Sequence, residues 1–298
     1  MVPNLTDIRN CDFKALARAV TIVENKLDGY LDLLQNLENT AGGKVIGFTG
    51  PPGAGKSSLV DALIGEIVAR DESVAVLCVD PSSPFNFGAV LGDRLRMSSW
   101  YLHPNVYIRS LASRGSLGGL HTMIIEITDL VREAKFDWIV VETVGVGQSE
   151  VEIAGLADVT VVVVVPEAGD EVQTMKAGIM EIADLFVVNK ADRPDAEIFV
   201  KNLRSVTTHR NGIEDHVQVL KTVATRKEGI GELYDAIEEK CRKMQVNERK
   251  SWLMTQKLLH IIQQRRMADI NRQEIHGIIK QNIGNPGFNL YKLAQSLS

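Results

Sequence analysis

Residues 50–57 read Gly50, Pro51, Pro52, Gly53, Ala54, Gly55, Lys56, Ser57, the spacing GxxxxGK[ST]. Glycines at these positions let a loop wrap its backbone N–H groups around phosphate oxygens, and a helix starting behind the loop aims its positive end at the same place. Lys56 would reach the outer phosphates, the Ser57 hydroxyl would take one magnesium position, and Ser58 would continue the cradle into the helix. The apolar run at 45–48 supplies a strand before the loop, and residues 58–68 supply the helix after it. A glycine-rich turn that happens to carry a lysine is the plainer reading, and this flanking context argues against it.

A second site concerns the base. Phe186, Val187, Val188 lead into Asn189, Lys190, Ala191, Asp192, which puts an NKxD series at the carboxyl end of another apolar run, where open α/β sheets bind ligands. A carboxylate at Asp192 can accept two hydrogen bonds from the N1–H and N2 amino group of guanine, whereas adenine offers no such pair. The expected nucleotide is therefore GTP or GDP rather than ATP. Asn189 would brace the loops, the Lys190 stem would cover the base, and Val223, Ala224 and Thr225 would provide a last backbone contact. Asp192 as a mere helix cap is the alternative.

Residues 136–141 form a mostly apolar run ending in Glu142, Thr143, Val144, Gly145. Glu142 is a candidate acid for the metal, and Gly145 could turn its N–H toward a γ-phosphate. Asp80, at the end of SVAVLCVD, and Asp93, in GAVLGDRLRM, are further metal candidates, with solvated loop acids as the other reading. Lys56, Glu142, Gly145 and Gln148 make up the candidate catalytic set. Val146, where a water-orienting glutamine could stand, predicts slow hydrolysis until a partner completes the site; Gln148 is equally well a surface residue. Arg94, Arg96, Arg109 and Arg114 could each stabilise charge, or simply pair with surface acids.

Positioning these groups requires alternating strands and helices. Runs such as KVIGFTG, SVAVLCVD, FDWIVVE, DVTVVVVVP, DLFVVNK and VQVLK predict a mainly parallel sheet with helices on both faces, because the valines at 161–165 leave no polar side for water. Residues 12–37 repeat apolar side chains at three and four, which predicts an N-terminal helical extension (1–40) ahead of the α/β domain (41–240). Trp252, Leu253, Leu258, Leu259, Ile262, Met267 and Ile270 predict one or two amphipathic helices in 241–298, broken at Gly277 and at GNPG to leave a short tail.

The 298 residues carry 33 Lys and Arg against 38 Asp and Glu, a net charge of −5 that gives no global case for nucleic acid. The longest uninterrupted apolar run, residues 74–79, is far below the ~20 residues of a membrane span. No membrane partner and a cytoplasmic location are expected. Cys11, Cys78 and Cys241 are scattered, and the six histidines, His103, His121, His209, His216, His260 and His276, show no ligand spacing, which argues against a nickel-insertion type of GTPase.

With these residues in place, the chain resembles the MeaB/ArgK-type GTPases, relatives of the methylmalonic aciduria type A protein. The resemblance is carried by ALARAVTIVE, GFTGPPGAGKSSL, VLCVDPSSP, LGDRLRM, IRSLASRGSLGGL and the long stretch at 142–192. It implies a P-loop NTPase fold of the SIMIBI-type G domain, magnesium held near Ser57, Asp80, Asp93 and Glu142, and a homodimer joined by C-terminal helices. It further implies a chaperone of an adenosylcobalamin-dependent acyl-CoA mutase, which gates cofactor loading. A partner-sensing loop of the family matches residues 169–176, with Asp170, Glu171, Gln173 and Lys176 as its polar positions. Pro84, Phe85, Asn86, Phe87 and Gly88 depart from the Gly-rich, Thr-containing first switch of that family. An ATP-dependent kinase or ATPase of lysine, arginine and ornithine transport, an older label for such proteins, is the alternative function.

Overall fold

The structure is a computed structural model that describes residues 2–38, 42–80, 97–113, 120–145, 149–168, 182–208, 217–243, 270–285 and 287–297, with short stretches between 251 and 267. It divides into two compact units, Met1–Leu253 and Met254–Ser298.

Three helices lead the chain: α1 (Leu5–Arg9), α2 (Phe13–Glu24) and α3 (Tyr30–Gln35). Within the 12–37 pattern the chain forms two helices, because Lys26 takes a left-handed backbone and Gly29 starts α3 at φ 86°. The Asp12 carboxylate caps α2 by accepting from the N–H groups of Lys14 and Ala15, which holds its pKa below the ordinary carboxylate value.

The described strands are β1 (Lys44–Thr49), β2 (Val74–Asp80), β3 (Val106–Ala112), β4 (Trp138–Glu142), β5 (Val159–Val164), β6 (Leu185–Val188) and β7 (Gln218–Lys221). They pair in parallel in the order β3-β2-β4-β1-β5-β6-β7. Parallel pairing sends every strand's carboxyl end to one edge, so the functional residues at those ends face the same side. Helices α4 (Lys56–Ala69), α5 (Ile124–Arg132), α6 (Ser149–Leu156), α7 (Ala196–Thr208) and α8 (Ile230–Lys243) cover the sheet.

Side chains alternate between the two faces with the strand period of two. On one face Val45, Leu77, Ile139 and Val141 pack with Ile8, Leu16, Val20 and Ile127 of α1, α2 and α5. On the other Ile46, Phe48, Val76, Val140 and Val161 meet Leu59, Leu63 and Ile67 of α4 and Leu233 of α8. The N-terminal helices therefore complete one layer of the core.

The β3 strand is absent from the expected set. Its YIRS segment mixes polar and apolar residues, since one flank of an edge strand has no neighbour to match. In the second unit, α9 (Arg272–Asn282) runs through Gly277, and α10 (Leu290–Leu297) stands where a tail was expected. An Asn271 cap, Glu274 in the first turn and Lys280 in the last offset the ~1 kcal/mol that glycine costs a helix interior. Among the described residues no helix is long and apolar enough to cross a membrane.

Candidate functional site

The loop from Gly50 to Gly55 has three glycines at positive φ: 137° at Gly50, 77° at Gly53 and 86° at Gly55. Gly50 and Gly55 are also fixed by space. A Cβ on Gly50 would lie 2.0 Å from the Val163 carbonyl oxygen, and one on Gly55 would lie 2.4 Å from Asn189 Nδ2. Pro51 and Pro52 restrict the turn between them, and Ala54 N–H closes it on the Pro51 carbonyl at 3.3 Å. Helix α4 starts at Lys56 itself, so Ser57 and Ser58 lie in its first turn, where N–H groups lack intrahelical partners.

Lys56 is only 6% exposed, and its Nζ donates to the carbonyls of Gly50 at 2.9 Å and Pro51 at 3.2 Å. The ammonium thus sits inside the loop it would serve. Gly145, at φ 84°, passes so close that a Cβ there would come within 2.3 Å of the Gly50 oxygen and 2.5 Å of Lys56 Nζ. The end of β4 is joined to the start of the loop through Thr143, whose N–H donates to the Phe48 carbonyl at 3.0 Å and whose hydroxyl meets that of Thr49 at 3.1 Å.

The Ser57 hydroxyl donates to Glu142 Oε1 at 2.6 Å, and both side chains are buried. Asp80, also buried, ends β2 two residues past Cys78, the register partner of Glu142. Ser57 and Glu142 are in contact and Asp80 ends the neighbouring strand at the same edge; one hydroxyl and two carboxylates are hard oxygen donors, which suit magnesium better than a soft metal. Asp93 and Gln148 lie outside the described residues, as do Asp170, Glu171, Gln173 and Lys176 of the expected partner loop. Arg94, Arg96 and Arg114 lie outside them too. Arg109 pairs with Glu24 at 2.5 Å and touches the Thr21 hydroxyl at 3.2 Å, so β3 directs it to α2.

At the base end, Asn189 is the joint. Its Nδ2 donates to the Ala54 carbonyl at 3.0 Å, while its Oδ1 accepts from the Thr222 hydroxyl and the Ala224 N–H, both at 3.2 Å. One buried amide thereby holds the phosphate loop, the end of β6 and the segment after β7 together. The Ala191 N–H adds a bond to the Thr222 carbonyl at 3.1 Å. Lys190, with φ 56°, sends its Nζ to the Gly53 carbonyl at 2.8 Å, laying its stem between the two loops. Asp192 is 33% exposed and pairs with Arg226 at 3.1 Å. Val223 and Ala224 are buried, and Thr225 is exposed. Thr143, Thr222 and Arg226 are site residues that sequence reasoning missed. A hydroxyl or guanidinium just past a strand carries no spacing signal until strand order is known.

Residues 16–275 match the family described as methylmalonyl Co-A mutase-associated GTPase MeaB. A Pyrococcus abyssi protein provisionally named a GTPase is 46% identical over 233 residues, which cover 76% of this chain and 72% of that protein. The GTPase ArgK of Escherichia coli is 31% identical over 301 residues, covering 98% and 88%. Among solved structures, a LAO/AO transport system kinase superposes with a TM-score of 0.70 at 25% identity, over 98% of this chain and 96% of that one.

Proposed function

The chain belongs to the MeaB family of GTPases, and from that premise we propose that it is a GTP-hydrolysing chaperone of an adenosylcobalamin-dependent acyl-CoA mutase, gating cofactor loading and protecting the loaded enzyme. The observation that carries the nucleotide part is the Asn189 joint, which holds the guanine-selecting loop against the phosphate loop. The client is supported by the description of the family alone.

Phosphoryl transfer leaves little covalent chemistry to the protein, so these residues act by placing charge. Backbone N–H groups of residues 53–58 bind the phosphates, and Lys56 turns from the Gly50 and Pro51 carbonyls to neutralise their outer oxygens. Gly145, packed on Lys56, presents its N–H as the γ-phosphate arrives. Ser57, Asp80 and Glu142 would hold magnesium, with Asp93 as a fourth ligand or water acceptor; the metal, when bound, neutralises charge on the β- and γ-phosphates. Ser57 could offer an oxygen lone pair to the metal while its hydrogen stays on Glu142, so the bond between them would orient both groups. Hydrolysis is slow in the isolated chain, and the partner loop at 169–176 couples it to the mutase. The chain works as a dimer through the region beyond residue 240.

The deciding experiment is a binding assay with the host's acyl-CoA mutases in the presence of GDP, a non-hydrolysable GTP analogue or no nucleotide. A complex whose affinity depends on the nucleotide is expected. Absence of any such complex with every mutase of the host would sink the chaperone role and leave the GTPase intact. The name of the solved kinase favours a second reading, ATP-dependent phosphorylation in basic amino-acid transport. It requires ATP to compete with GTP on equal terms, against the donor preference of Asp192.

A further inference from the structure

Arg226 stands on a fixed base. It closes the short helical turn Ala224–Arg226, with its N–H on the Val223 carbonyl at 2.9 Å, and Ala224 is itself tied to Asn189. The segment is closed again by the Val223–Glu228 bridge. Across from it, Asp192 is fixed through the Ala191 N–H on the Thr222 carbonyl. Two rigid loops thus set the guanidinium against the carboxylate, at 3.1 Å from Arg226 Nη2 to Asp192 Oδ2. Of the neighbouring cations, Lys190 is directed to the Gly53 carbonyl and Arg193 pairs with Glu167.

A guanidinium and the Watson–Crick edge of guanine present the same face to a carboxylate: adjacent N–H donors in one plane, able to form a two-pronged pair. We propose that Arg226 is an internal competitor for the base, occupying Asp192 in the nucleotide-free protein and leaving when guanine binds. Its 59% exposed side chain has open solvent to swing into, so displacement needs no change of fold. The competitor lowers affinity for guanine nucleotides in their GTP and GDP forms alike, and leaves nucleotides that do not use Asp192 untouched. It keeps the pocket exchangeable while preserving the carboxylate that gives selectivity. The inference rests on the guanine reading of Asp192.

The test is a titration of GDP and ADP, at one fixed salt and magnesium concentration, against the full chain and its Arg226→Ala, Asp192→Asn and doubly substituted variants. Arg226→Ala is expected to bind GDP about 2–5-fold more tightly, the value of an exposed ion pair, with ADP affinity unchanged. In the Asp192→Asn background the same substitution is expected to change GDP affinity by less than about 1.5-fold, since no pair remains to break. Unchanged or weaker GDP binding in Arg226→Ala, while the parent chain still prefers GDP over ADP, overturns the competitor alone. A parent chain with no preference between GDP and ADP removes the guanine reading and the competitor with it.

Discussion

Lys56 shows how much of a site a local run of residues can specify. Its place after Gly55 and before Ser57 is enough to read phosphate chemistry, because that chemistry depends on backbone N–H groups within a few residues of one another. Lys56→Ala is expected to lower GTP affinity by at least about 100-fold, since each hydrogen bond from an ion to phosphate is worth about 1.5–3 kcal/mol. Circular dichroism and the urea midpoint should report a folded chain, because the ammonium bonds to carbonyls of the loop, at Gly50 and Pro51, and packs no part of the apolar core. A folded variant that keeps its GTP affinity removes the assignment. Asn189 and Asp192 were legible for the same local reason. Thr222 and Arg226 were not: they lie more than thirty residues further on and reach Asn189 and Asp192 only because β7 pairs with β6.

Among the elements, the fully covered strands were the easiest to read, since burial on both faces demands runs such as residues 161–164. The edge strand β3 was hidden by Tyr107, Arg109 and Ser110, polar residues that interrupt the apolar run; of these Arg109 answers to α2, through Glu24 and Thr21, rather than to a strand pattern. Tyr107 is 7% exposed, and its hydroxyl has no hydrogen-bond partner among the described residues. Burial, opposed by Arg109 and aided by Glu24, raises its pKa from 10.0 to about 12. The folded state therefore holds the phenol proton more tightly than the unfolded chain does. The associated stability is complete below about pH 10 and is lost as pH rises toward 12. Urea midpoints measured from pH 9 to 12 should fall less steeply for Tyr107→Phe than for the parent chain. At pH 7 the variant should be equally stable or up to about 1 kcal/mol more so, because it buries no unmatched hydroxyl. A loss beyond about 1 kcal/mol at pH 7 would mean that the hydroxyl has a partner in solution.

At the scale of the whole molecule, strand order is what brings two distant motifs to one edge of the sheet. β1 ends in the phosphate loop and β6 in Asn189, and β5 alone separates them, so under the proposed function a nucleotide would span the edge of three adjacent strands. Binding that edge links the strands through a ligand the unfolded chain cannot hold, which makes thermal stability a readout of selectivity. Under the guanine reading, GDP with magnesium at 100 times its dissociation constant should add about 2.7 kcal/mol to the unfolding free energy, seen as a rise in Tm. ADP at the same concentration should add far less. Asp192→Ala removes the group that accepts the guanine donors while leaving the Asn189 joint in place, so the two nucleotides should raise Tm by similar small amounts. If that variant still distinguishes GDP from ADP as the parent does, base selection resides elsewhere on the edge, and the backbone of residues 223–225 would be the next place to look.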